Sequence, residues 1–81
     1  MIPINEIKEG DLFSNPLFLP HVGVVYRVER VSVKDKMVLL QGHSGTTGKP
    51  VLGLCWKRNT DRIFSESWRY GTTELEKEAL A

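Results

Sequence analysis

The residues with the most chemistry to offer are the loop Ser44-Gly-Thr-Thr-Gly-Lys49, the pair His21 and His43, and the lone Cys55. The loop has the outline of a phosphate cradle, in which glycine amides and a lysine surround a nucleotide's phosphates. With Gly48-Lys49 as the closing pair, the leading glycine of that motif would fall at position 43, where His43 stands. The hydroxyl residue that should follow the lysine and hold magnesium is replaced by Pro50. An apolar strand pattern follows the loop, whereas the mechanism requires a helix N-terminus aimed at the phosphates. A connection between strands accounts for the loop without a nucleotide.

The other constellations are weaker still. His21, His43 and Cys55 never stand at ligand spacing on one element, so no metal or other cofactor is expected. Cys55 and His43 could be named as nucleophile and base, but any chain with two histidines permits that choice. The carboxylates fall in turns and in the tail, away from the apolar strands where burial would tune them for acid–base work. The chain therefore reads as a binding protein rather than an enzyme.

What remains is aromatic and basic. Tyr26, Trp56, Trp68 and Tyr70 accompany Arg27, Lys57, Arg58, Arg62 and Arg69. Stacking rings beside arginines are what nucleic-acid readers use. Against this, the formal net charge is only +1, while phosphate neutralisation drives most such affinity. The charge is uneven: residues 41–70 carry five basic and two acidic groups, and residues 71–81 carry Lys77 against Glu74, Glu76 and Glu78.

The elements that would position these groups are mostly strands. At 81 residues with 26% charged side chains, the chain has the size and composition of one globular domain. A single cysteine excludes an internal disulfide. No apolar run approaches the ~18 residues of a membrane span, and no signal peptide is evident, so a cytoplasmic setting is expected. Cys55, between Leu54 and Trp56, reads as a buried structural thiol.

The stretch from Val22 to Val33 is dense in β-branched residues and reads as one long strand. Its alternation slips: Val24, Tyr26 and Val28 share a face, then Arg30 falls on it while Val31 and Val33 carry the apolar parity. Parity changes only through a bulge or bend, placed here near Glu29–Arg30. Before it, Gly10-Asp11 is turn chemistry leading into a short strand at Leu12-Phe13. Pro16 and Pro20 bracket Leu17-Phe18-Leu19, a loop that either closes one end of the core or forms an exposed lip for a partner.

Lys34-Asp35 makes a hairpin turn into the strand Met37–Gln41, and Gly42–Pro50 reads as a flexible loop. A strand over Val51–Lys57 follows, with a bend at Gly53. If Leu52, Leu54 and Trp56 face the core, then Val51, Gly53, Cys55 and Lys57 form an outer row suited to a dimer or partner contact. Phe64 and Trp68, four apart around Ser65-Glu-Ser67, predict a helical turn that buries both rings. Trp68-Arg-Tyr70 would add a last short strand. Thr73-Glu-Leu-Glu76 has capping-box spacing and opens a short helix or frayed acidic tail over residues 73–81.

This order of elements resembles small SH3-like β-barrels, including short proteins of phages, prophages and plasmids. The resemblance rests on Ile7-Lys-Glu-Gly-Asp-Leu-Phe13, the bent strand Val24–Val33, the hairpin into Met37–Gln41, the strand Val51–Lys57 and the helical turn near Ser65. It implies a five-stranded barrel that binds peptides, proteins or nucleic acids through loops and one open face. The first long loop of a peptide-binding SH3 domain is rich in aromatic and acidic residues; here Phe18 is its only ring.

The expected fold is thus all-β, a small SH3-like barrel or strongly bent antiparallel sheet over residues 1–72, with a short C-terminal helix. The expected function is a protein–protein adaptor or inhibitor of phage or plasmid type, acting through Leu17, Phe18 and Leu19 and the edge of the strand that starts at Val51, on a protein partner or on a second copy of itself. The alternative is nucleic-acid binding through Lys57, Arg58, Arg62, Arg69 and Tyr70.

Overall fold

The computed structural model describes residues 1–15 and 23–81. The Leu17-Phe18-Leu19 lip and His21 lie outside the described residues. Four antiparallel strands form one sheet in sequential order: β1 (Leu12–Phe13), β2 (Val24–Ser32), β3 (Met37–Ser44) and β4 (Cys55–Arg58). The sheet is not closed on itself. Two short helices follow, α1 (Glu66–Arg69) and α2 (Glu74–Leu80), and a single 3-10 turn spans Ile4–Glu6.

The parity slip in β2 is a bulge. Val28 pairs with Leu40 and Arg30 with Leu39, so Glu29 is the extra residue. Tyr26 and Val28 are buried in the core ahead of it, and Val31 packs on the same core after it. Without the extra residue, Val31 would turn to the opposite face. Val33 does not continue the pattern; it lies in the hairpin turn and is 59% exposed. The turn is held by the Asp35 N–H donating to Ser32 Oγ and by Lys36 at φ 53.

The core lies on one face of the sheet. Phe13 and Phe64 meet edge to face at 5.4 Å between centroids, surrounded by Ile2, Ile7, Val38, Leu40, Ile63 and Trp68. The predicted helical turn is α1, and it buries Phe64 and Trp68 together. Its last residues are helical, so Trp68-Arg-Tyr70 forms no strand. α1 closes the β1 side of the sheet: the Ser14 N–H donates to the Trp68 carbonyl at 2.9 Å, and the Ile2 N–H to that of Phe64.

β3 runs three residues further than its sequence suggests, because Gly42, His43 and Ser44 pair with Tyr26, Val25 and Val24. Glycine and polar residues weaken a strand signal, but β2 supplies a full set of partners there. Val25 and His43 oppose each other on the face away from Tyr26, and both are buried. α2 comes against this corner of the sheet. The Arg27 Nη1 donates to the Leu80 carbonyl at 3.5 Å, and the turn at 45–48 approaches Glu76 and Ala79.

A helix of seven residues is marginal alone. Its capping box is complete: Thr73 Oγ1 accepts the Glu76 N–H at 3.1 Å, and Glu76 Oε1 accepts the Thr73 N–H at 2.7 Å. Docking supplies the rest. Gly48 has φ +74, and a Cβ built there would overlap the Ala79 carbonyl oxygen. Gly48→Ala is therefore expected to lower stability by about 1–3 kcal/mol through backbone strain and the lost approach. Chemical denaturation measures that loss, and amide exchange should show α2 undocking first. An unchanged midpoint with α2 still protected would mean that the helix does not depend on this contact.

Candidate functional site

The feature that the core leaves unused is the β4 edge and the chain that leads into it. After β3 the backbone reverses through residues 45–48, where Ser44 Oγ accepts the Thr46 and Thr47 N–H groups and the Gly48 N–H donates to the Ser44 carbonyl. The returning chain starts to pair, with Pro50 bridging His43. It then falls out of register. The next pair is Cys55 with Leu40, so five steps along the returning chain match three along β3. The excess bows outward as Val51-Leu-Gly-Leu54.

This lag overturns the expectation of a strand over Val51–Lys57. Only Cys55–Arg58 is strand. Val51, Leu52 and Leu54 are 52%, 47% and 58% exposed, and Trp56 is 46% exposed. Four large apolar side chains thus meet solvent within one short stretch, and exposed apolar clusters of this kind often mark interaction sites. Leu52 is the member nearest the core. It sits over Gly42, where an added Cβ would meet its side chain at 2.9 Å.

Trp56 is not a core residue. It pairs with Leu39, and Leu39 points away from the face on which Val38 and Leu40 are buried. Nor is Cys55 a buried thiol. It is exposed, and its Sγ lies 3.6 Å from the Trp56 carbonyl oxygen. An edge strand has a neighbour on one side only, so even its core-facing side chains meet solvent. Cys55 pairs with Leu40 on the core side, while His43 belongs to the opposite face, so the two do not form a nucleophile–base pair.

The basic residues singled out from the sequence do not converge. Lys57 reaches Asp61 at 3.8 Å. Arg69 belongs to the junction of α1 and β1, donating to the Glu6 carbonyl, lying 3.9 Å from both Asp11 and Glu66, and stacking over Phe13. Arg62 is exposed in the turn before α1, and Tyr70 is exposed just after α1. Of Lys57, Arg58, Arg62 and Arg69, Arg58 is the one on the open face with Trp56, opposite Met37.

One member of that face was missed in the sequence. Arg30, exposed, pairs with Leu39, which in turn pairs with Trp56, so the three cross the sheet as one row. The signal was present, since a bulge at Glu29 that keeps Val31 in the core must turn Arg30 to the other side. Neither Arg30 nor Arg58 has a carboxylate partner among the described residues.

Two buried titratable groups flank this region. His43 Nδ1 lies 3.0 Å from the Gly48 carbonyl, which can only accept, so Nδ1 carries the proton. Nε2 is buried without a hydrogen-bond partner, 4.0 Å from Glu29 Oε1. Tyr26 is buried in the core, between Phe13 of β1 and Gly42 of β3. Burial pushes its phenol above the ordinary 10.0, and the Asp61 carboxylate and the Cys55 thiolate add to the rise. Among the described residues no group of His, Cys, Asp and Glu side chains could hold a metal ion, and no helix is long and apolar enough to cross a membrane. Comparison with known proteins matched no family, no curated protein and no solved structure.

The raised Tyr26 value fixes a sign. The buried neutral phenol contributes stability that is fully present below 10.0 and is lost as the pH rises through the higher folded value. Denaturation across this alkaline range should show the wild type losing stability more steeply than Tyr26→Phe. Parallel slopes for the two proteins would show that Tyr26 ionises as readily folded as unfolded.

Proposed function

We propose that this protein is a small non-enzymatic binding module, an adaptor or inhibitor that acts through the β4 edge and the apolar run before it. The observation that carries the reading is the exposure of Val51, Leu52, Leu54 and Trp56 beside a strand edge that is unpaired among the described residues, while Phe13, Tyr26, Phe64 and Trp68 are buried. A half-exposed tryptophan among aliphatic side chains has the composition of an interface centre. The short opening strand, long bulged strand, hairpin and single helical turn support an SH3-like reading of the architecture. In that reading the β4 edge takes the place of the expected lip as the working surface.

The row Arg30–Leu39–Trp56, with Arg58 beside it, favours a second reading in which a single-stranded nucleic acid stacks on Trp56 and sets its phosphates on the arginines. The two readings separate by salt. Nucleic-acid binding weakens steeply as salt rises, and an apolar protein contact does not.

The test pairs stability with selection. Leu54→Ser with Trp56→Ser removes exposed side chains, so stability should change by less than about 1 kcal/mol. The same variant should fail to enrich any peptide from a displayed library that the wild type enriches, with affinity for the enriched peptides falling at least ~30-fold. Peptides that bind the two proteins equally would place the working surface elsewhere. Salt-sensitive binding of oligonucleotides, lost with Arg30→Glu and Arg58→Glu, would establish the second reading instead.

A further inference from the structure

We infer that the β4 edge takes up an extended segment of another protein as an added strand, with apolar residues opposite Cys55 and Trp56 and carboxylates opposite Lys57 and Arg58. The inference rests on the reading of this edge as the working surface. It goes further by naming how the partner binds and what chemistry it carries.

Backbone geometry supplies the first support. The Asn59 N–H donates to the Lys36 carbonyl. In an antiparallel ladder, residues alternate between facing the neighbour strand and facing away. Lys57 and Cys55 therefore turn their backbone groups toward β3, consistent with the Val51 N–H donating to the Gly42 carbonyl further along. The Trp56 N–H and carbonyl and the Arg58 N–H then face out along the open edge. The Arg58 carbonyl is already used by the Asp61 N–H. Among the described residues the Trp56 carbonyl has only the weak thiol contact of Cys55. Free groups at two-residue spacing are what an incoming strand pairs with.

Charge supplies the second. Between positions 49 and 62 stand Lys49, Lys57, Arg58 and Arg62 against Asp61 alone, a local +3. Along β4 the cations are confined to one end, Lys57 on the core side and Arg58 on the open side, while Cys55 and Trp56 occupy the other. A complementary segment has an apolar half and an acidic half on both of its faces. A second copy of this chain fits poorly. Paired about Trp56, it would set the Lys57 and Arg58 of each copy opposite apolar side chains and bring two +3 edges together.

Residue-resolved amide exchange on the whole chain tests this. The probes are synthetic peptides with an apolar run joined to Glu-Glu, the same run joined to Lys-Lys, and the acidic peptide with alternate amides N-methylated. Saturation with the acidic peptide should slow exchange at Trp56 and Arg58 at least ~tenfold and leave Lys57, already bonded to β3, little changed. Methylation should abolish the effect, and Arg58→Glu should weaken the acidic peptide at least ~tenfold while strengthening the basic one.

Equal binding of acidic and basic peptides, or no binding of either, overturns the charge match. Protection of the same amides on raising protein concentration without peptide assigns the edge to self-pairing, and protection by an oligonucleotide assigns it to nucleic acid. Both outcomes overturn the inference. Binding that is lost with Trp56→Ser yet leaves the amides unprotected overturns strand addition and leaves the docking edge standing. Binding indifferent to Trp56→Ser removes both.

Discussion

The fold depends on a single extra residue. Glu29 gives β2 one more residue than β3 can match, and the long strand thereby keeps an apolar face to the core on both sides of the slip. Three consequences follow from it. Val31 stays with Tyr26 and Val28 in the core, and Arg30 is delivered to the open face opposite Leu39. The Glu29 carboxylate turns back over the strand to within 3.3 Å of Arg27 Nε and 4.0 Å of His43 Nε2. Arg27 passes the connection on to the end of α2 through the Leu80 carbonyl. A regular β2 would retain the hairpin but turn Val31 away from the core.

The link through Arg27 helps explain why so short a helix holds its place. α2 buries no residue of its own fully, and most of its side chains are solvated. Its stability comes from closing its first turn with the Thr73–Glu76 capping box and from close backbone approach at Gly48. The His43 ring under this corner bonds the Gly48 carbonyl and so ties the 45–48 turn to β3. The loop that resembles a phosphate cradle in sequence is used in this way. Its glycines let a turn and a helix approach one another, and its hydroxyls satisfy the turn's own amides.

The parts legible in the sequence are those in which a local pattern has one physical solution. A parity slip in a β-branched run demands a bulge, Phe64 and Trp68 four apart demand a helical turn, and Thr-x-x-Glu closes a helix start. The sequence was silent where the outcome depends on pairing at a distance. Leu52, Leu54 and Trp56 alternate as core residues do, but the two-residue lag behind β3 cannot be seen from their own stretch. The same blindness placed Cys55 inside. Gly42–Ser44 look like loop because their strand character is lent by Val24–Tyr26 across the ladder. Lys57, Arg58, Arg62 and Arg69 are near neighbours in sequence, yet the turn after β4 and the helix α1 disperse them, and Arg69 is spent on the β1 side.

The two edges of the sheet are treated in opposite ways, and this gives the exposed apolar run its meaning. At the β1 edge, α1 and the chain around it cover the strand, with the Trp68 carbonyl taking the Ser14 N–H and Arg69 lying over Phe13. At the β4 edge the apolar residues stay in solvent. An exposed, hydrophobic edge is a template for aggregation unless something limits it. Here the limits are visible: β4 is only four residues long, Pro50 and the bow at 51–54 interrupt pairing before it, and Lys57 and Arg58 occupy its far end. These devices disfavour indiscriminate strand pairing without removing the apolar surface or the outward-facing amides. A sequence under pressure only to stay monomeric would replace Leu54 and Trp56 with polar residues at almost no cost to the core, which they do not touch. Keeping them while guarding the same strand with two cations is the arrangement expected of an edge that must refuse copies of itself and still accept something else.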